Sequence, residues 1–158
     1  MEKIGFGGGC HWCTEAIFQS LRGVSSVEQG YIASIEPNSS FSEAVIVNYN
    51  SHKLDIRSLI EIHLRTHSST SIHRLRDKYR SAVYTFSESQ SHATALALRE
   101  IQKGFEKKII TQVLPFDSFR ESSEKFKNYY NQGPERPFCQ LYIVPKLNRI
   151  KTEFSHLN

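Results

Sequence analysis

Three glycines running straight into a pair of cysteines constrain this chain more than any other feature. Residues 3–23 read KIGFGGGCHWCTEAIFQSLRG. Residues 3–8 have the pattern of a short strand that runs into a glycine turn, where the missing Cβ permits sharp backbone bends. The following stretch has helical spacing, with Ile17, Phe18 and Leu21 on one side and Gly23 as its C-terminal stop. If the helix begins near His11, Cys10 sits at its start. Free backbone N–H groups and the positive end of the helix dipole stabilise an anion there. An ordinary thiol, with a pKa of about 8.5, is only a few per cent ionised at neutral pH. The position is therefore expected to lower the Cys10 pKa, and the glycines leave room for a bulky substrate to reach the sulfur. A buried cysteine in a tight turn is the plain alternative.

The rest of the chain supplies partners for this junction. Residues 24–32 and the β-branched run 42–50 read as strands, with a loop at 35–41. Asp55 is placed to cap a helix carrying Ile56, Leu59, Ile60, His63 and Leu64 at helical spacing. Residues 68–78 read as a polar loop and 79–86 as a strand. Residues 89–105 read as a helix with Ala93, Leu96, Ala97, Ile101 and Phe105 inward. Residues 108–116 form an expected strand ended by Pro115, 122–130 a short helix, and 139–144 a last short strand. This order predicts an α+β fold: one domain over residues 1–158, a two-layer sandwich with a ferredoxin-like core and a mixed, mostly antiparallel sheet. Residues 146–158 are expected as a surface tail.

With 158 residues, the chain is long enough for one core and short for two. The net charge of +4 leaves nucleic acid open, but the basic residues are interleaved with acids and no nucleic-acid motif is present. No apolar run approaches the length of a membrane span. Met1 lies too close to the first apolar positions to leave room for a signal peptide, so a cytoplasmic location is expected. Three cysteines, Cys10, Cys13 and Cys139, are an odd number and argue against a secreted disulfide framework.

Cys13 lies one helical turn from Cys10, so the two thiols can share a face. C-x-x-C at a helix start suits thiol–disulfide exchange. It also makes half a zinc site, which His63, His67 and His73 could complete. Against that reading, His63 falls on the apolar side of its helix, and no second C-x-x-C or H-E-x-x-H is present. No metal or organic cofactor is expected.

Taken in order, the segments resemble the A-type peptide methionine sulfoxide reductases. GCHWCTE is similar to that family's G-C-F-W, then Gly or Cys, then x-E. Gln29 to Ile32 fall where the family has V-G-Y-A, and SEAVIVNYN matches H-A-E-x-V-x-V-x-Y-D. HSST stands for H-D-P-T, KYRSAVY for Q-Y-R-S-x-I-Y, and RPFCQLYIVPKL for P-Y-C-x-x-V-I-x-P-K. The likeness spans nearly the whole chain.

The resemblance implies an enzyme that reduces methionine-S-sulfoxide, free or in proteins and peptides. It implies Cys10 as nucleophile and Glu43 as the acid, its pKa raised by an apolar pocket. Tyr31 and Tyr79 would hold the sulfoxide oxygen, and Trp12 would receive the methyl group. A thiolate attacks the weakly electrophilic sulfur while an acid protonates the oxygen. Cys10 then becomes a sulfenic acid, which Cys13 or Cys139 resolves. Thioredoxin or a small dithiol would regenerate the enzyme, acting as a monomer without nucleic acid or membrane. Several positions depart from the family. His11 replaces its usual Phe in the substrate wall, and the segment before Tyr79 looks shorter, with Asp77 standing in for that loop's aspartate. Ser42 beside Glu43 and the missing H-Q before Tyr129 and Tyr130 are further departures. Two alternatives are a C-x-x-C thiol–disulfide oxidoreductase and a non-catalytic module that binds methionine sulfoxide.

Overall fold

A computed structural model describes residues 1–72 and 78–157. Six strands form one sheet: β1 (Glu2–Gly7), β2 (Val24–Ala33), β3 (Ser42–Tyr49), β4 (Ala82–Thr85), β5 (Gln112–Pro115) and β6 (Ser118–Glu121). The main helices are α1 (His11–Gln19), α2 (Ile56–Arg65), α3 (Glu88–Gln102), α4 (Tyr129–Gln132) and α5 (Val144–Glu153). The strand order is β5-β4-β1-β3-β2-β6. Its middle, β4-β1-β3-β2, is antiparallel throughout and has the ferredoxin-like order expected for βαββαβ. Among the described residues only the β4–β5 pair is parallel.

Strand alternation sorts the side chains into two layers. Val45, Val47 and Tyr49 of β3, with Ile4 and Phe6 of β1, point into the main core. There they meet Ile17, Phe18 and Leu21 of the first helical segment and Leu59, Ile60, Ile62 and Leu64. Phe6 stacks on Phe18 with ring centroids 4.7 Å apart. Each such fully buried side chain contributes about 1.5–3 kcal/mol. Ala44 and Ile46 point the other way, into a smaller cluster with Ile32, Ala82 and Tyr84. Asp55 caps α2 as expected, accepting from the Ser58 N–H. Gly23 follows α1 with φ +93°, a conformation that favours glycine.

Four expectations need correction. Residues 139–144 are not a strand: Cys139–Ile143 form a π-helical turn that runs directly into α5. The stretch after Pro145 is not a surface tail, because Ile150 is fully buried and Phe154 joins the main core. In α3 the buried positions are Thr94, Ala97 and Ile101, while Leu96 is 53% exposed. The helix expected over 122–130 contracts to α4, and β6, which residue patterning did not suggest, pairs with β2 instead.

Candidate active site

The glycine turn is held from below by imidazoles. His63 Nε2 donates to the Gly7 carbonyl at 2.8 Å. His67 Nδ1 bonds the His63 carbonyl, and its Nε2 meets Ser81 Oγ at 2.8 Å. Gly8 has φ +150°, and a Cβ there would come within 2.5 Å of the His67 ring. Two of the histidines considered for zinc are thus engaged with backbone and hydroxyl groups, and His73 lies outside the described residues. Among the described residues no three His, Cys, Asp or Glu side chains gather as metal ligands.

Cys10 is the residue that starts α1, and its carbonyl accepts from the Cys13 and Thr14 N–H groups. Its side chain is partly exposed, whereas Cys13 is buried. The two thiols are hydrogen-bonded and ionise as a pair. Cys13 is held below the ordinary thiol range, chiefly by the bond from Cys10 and then by the positive charge of Lys146. Cys10 is raised, first by that same bond and then by burial. The Trp12 amide favours a Cys10 anion but does not reach the geometry of a capping bond. The lowered Cys10 expected from its helix position is therefore corrected. The helix end acts on a charge that the two thiols share.

Glu43 stands at the start of β3, directly across from Tyr31 of β2. Its Oε1 accepts from the His11 backbone N–H at 3.2 Å and lies 3.5 Å from His11 Nε2. Its Oε2 lies 3.7 Å from Lys78 Nζ. The carboxyl is thus flanked by an ammonium and an imidazole rather than by the apolar pocket expected. His11 is buried at 5% exposure, and its Nδ1 donates to the Gly30 carbonyl at 2.8 Å. The His11 ring meets Tyr31 edge-on, with centroids 5.2 Å apart.

Tyr79 reaches the site through Ser42. The Ser42 hydroxyl donates to the Lys78 carbonyl and accepts from the Arg80 N–H, at 2.9 and 2.8 Å. Tyr79, between them, lines a cleft of about 630 Å³ with Cys10, Cys13, Phe138, Tyr142 and Lys146. Lys78 lies 5.1 Å over its ring. Glu43, Tyr31, His11 and Trp12 do not line this cleft; they contact one another beside it. Asp77 lies outside the described residues.

Trp12 stacks face to face on Tyr129 at 4.0 Å and meets Phe138 edge-on at 5.3 Å. Glu15 sets this wall. Its buried carboxylate accepts from the Asn128 and Tyr129 N–H groups at 2.9 and 3.2 Å and from Gln29 Nε2 at 3.0 Å. Residue-level reading passed over Glu15, which appeared only as a letter in the GCHWCTE motif; an acid on the apolar side of a helix was the available signal. Cys139 is fully buried in the same apolar cluster as Cys13, Ala16 and Ile143. Burial raises its pKa first of all.

A two-layer α+β fold with a thiol pair at a helix start, beside a carboxyl, defines a thiol-dependent oxidoreductase. Comparison with known proteins narrows the class. The model of the peptide methionine sulfoxide reductase family matches residues 2–158. The peptide methionine sulfoxide reductase MsrA of Saccharolobus solfataricus is 30% identical over 168 residues, covering 98% of this chain and 95% of that protein. The fold is similar to that of reduced Mxr1 from Saccharomyces cerevisiae, with a TM-score of 0.76 and 24% identity over 87% of this chain and 88% of that one. Mxr1 has also been solved in complex with Trx2; that structure matches with a TM-score of 0.65 and 23% identity, over 79% of this chain and 83% of Mxr1. The chain belongs to the peptide methionine sulfoxide reductase family.

Proposed function

We propose that the chain reduces methionine-S-sulfoxide to methionine, with Cys10 as nucleophile and Glu43 as acid. The observation that carries this reading is the meeting of a partly exposed Cys10, hydrogen-bonded to a second thiol, with a buried carboxyl at the same helix start. The reactive form of the dithiol carries one negative charge. Its proton moves from Cys10 to Cys13 along their hydrogen bond as Cys10 attacks the sulfoxide sulfur. Glu43 gives a proton to the departing oxygen, with Tyr31 and Tyr79 as supporting hydroxyl donors. Methionine leaves, and Cys10 holds the oxygen as a sulfenic acid.

Cys13 then attacks Cys10, water departs and a disulfide remains. As the resolving thiol Cys139, fully buried in the same apolar cluster, ranks behind Cys13, which lies one helical turn from Cys10. The aromatic wall of Trp12, Tyr129 and Phe138 suits the substrate methyl group. Asp77 retains its assignment to substrate binding from the resemblance alone. Thioredoxin or a small dithiol restores the thiols, as the Mxr1–Trx2 complex suggests for a related fold. Among the described residues no helix is long and apolar enough to cross a membrane. The cytoplasm is the compartment whose reductants suit this cycle.

A turnover assay with the separate S and R epimers, driven by dithiothreitol and then by thioredoxin, tests the reading. Methionine is expected from the S epimer alone. Reduction of protein disulfides with neither epimer consumed would overturn it in favour of a general thiol–disulfide oxidoreductase.

A further inference from the structure

We propose that His11 is a positioning residue for the acid, holding one proton in common with Glu43 and supplying it through that carboxyl during reduction. The inference deepens the sulfoxide-reductase reading and rests on it. Its basis is the fixed orientation of one buried ring. His11 Nδ1 faces the Gly30 carbonyl at 2.8 Å. A carbonyl oxygen only accepts, so Nδ1 carries its hydrogen whatever the charge of the ring. Nε2 is then the nitrogen that gains and loses a proton, and it lies 3.5 Å from Glu43 Oε1. A neutral ring and an ionised carboxylate would point lone pairs at each other in a buried site, where such repulsion is strong. One proton between them removes it, as imidazolium with carboxylate or as imidazole with carboxylic acid.

The surroundings act on this pairing in both directions. The His11 main-chain N–H also donates to Oε1, so one residue grips the same oxygen twice. From β2, Tyr31 presents its ring edge to His11. Lys78, ahead of β4, faces the other Glu43 oxygen and its charge works against the added proton, while Cys10 stands just before His11 as the cap residue of α1. A phenylalanine at this position, usual in the family this chain resembles, offers no site for the proton.

The Cys10–sulfur bond forms and the methionine sulfur–oxygen bond breaks. The methionine sulfur gains two electrons and the Cys10 sulfur loses two. The oxygen passes to Cys10 as a hydroxyl, whose hydrogen comes from the His11–Glu43 pair. After a dithiol has reduced the Cys10–Cys13 disulfide, the proton given up by the re-formed thiol pair reloads His11 and Glu43.

Single-turnover methionine release, followed against pH for the intact enzyme, His11→Phe and His11→Gln, tests the proposal. All three rates should converge in acid, where solvent supplies the proton. Toward alkaline pH both variants should fall earlier, trailing the intact enzyme by roughly tenfold or more, with KM little changed. Superimposed alkaline limbs, or an equal loss at every pH, would overturn it. Nitrogen NMR of the His11 ring gives an arm independent of activity and of variant folding. It should find Nδ1 protonated throughout and the Nε2 signal changed by Glu43→Gln; a ring insensitive to that change would also overturn the pairing. If the intact enzyme released no methionine, the reading of the site would fail, and the NMR arm would still decide the pair.

Discussion

Cys10 and Cys13 set the chemistry together, and single substitutions should separate their parts. Cys10→Ser is expected to abolish methionine release, since a neutral hydroxyl attacks sulfur poorly; turnover within about tenfold of the intact enzyme would remove Cys10 as nucleophile. Cys13→Ser should still release close to one methionine per chain and then stop, leaving a sulfenic acid on Cys10 that a sulfenate-selective reagent captures for mass spectrometry. Continued thioredoxin-driven cycling would instead assign resolution to Cys139. The pair's first ionisation is lowered on the Cys13 side. Its anion is favoured as pH rises and lost only as pH falls through the lowered value. Thiolate absorbance should therefore appear below the ordinary thiol range and move up in Lys146→Ala. At this scale the placing of Cys10, Trp12, Glu43 and Tyr31 next to His11 was legible, because an ordered set of motifs carries them. The direction of the Cys10 shift was not, since it depends on which thiol donates to the other. Nor was the setting of Glu43: Lys78 is distant in sequence and reaches it only through strand pairing and Ser42.

Helix α1 does at element scale what no single side chain does. Its first residue offers His11 to Glu43, its first turn joins Cys10 to Cys13, and its second turn brings Glu15 to the Asn128–Tyr129 backbone. Glu15→Gln keeps the size of the side chain but loses the charge that three donors converge on. Hydrogen bonds to a charged group contribute about 1.5–3 kcal/mol each, so a loss of about 2–4 kcal/mol in unfolding free energy is expected, measured by denaturant titration. Because the anchored Tyr129 stacks on Trp12, KM for a sulfoxide peptide should rise as well. An unchanged KM would detach the loop from substrate binding. The strands β1 to β4 and helices α1 to α3 were legible because periodicity, caps and the glycine stop agreed. CQLYIV misled because a short apolar run fits a strand as well as a half-buried helical turn, in which Cys139 and Ile143 turn inward while Leu141 and Tyr142 face out. Only its continuation into α5, with Ile150 and Phe154 turned inward, decides the matter.

Across the whole molecule, one sheet carries the site at one end of its central strands and a buried tyrosine at the other. Gly7 and Ala44 pair where β1 and β3 approach the site, and Glu2 pairs with Tyr49 at the far end. The fold class followed from the order of elements, while β6 and α5 escaped because neither carries a strong period of its own. Tyr49 ties the far end to overall stability. It is 2% exposed, and its phenol is pushed up to about 12, first by burial and then by the charge of Glu2. In the unfolded chain a phenol ionises near pH 10. Below about pH 10 Tyr49 is neutral in the folded and the unfolded chain alike, and it contributes its full stabilisation. As pH rises from there toward 12, the unfolded chain loses its proton while the folded one keeps it, so stability drains away. The loss reaches about 1.4 kcal/mol by roughly pH 11 and approaches about 2–3 kcal/mol above it. Denaturant midpoints measured between about pH 9 and pH 11 should fall more steeply for the intact protein than for Tyr49→Phe, which has no phenol to ionise. Parallel curves would mean that Tyr49 meets water in the folded state and that this end of the sheet is open.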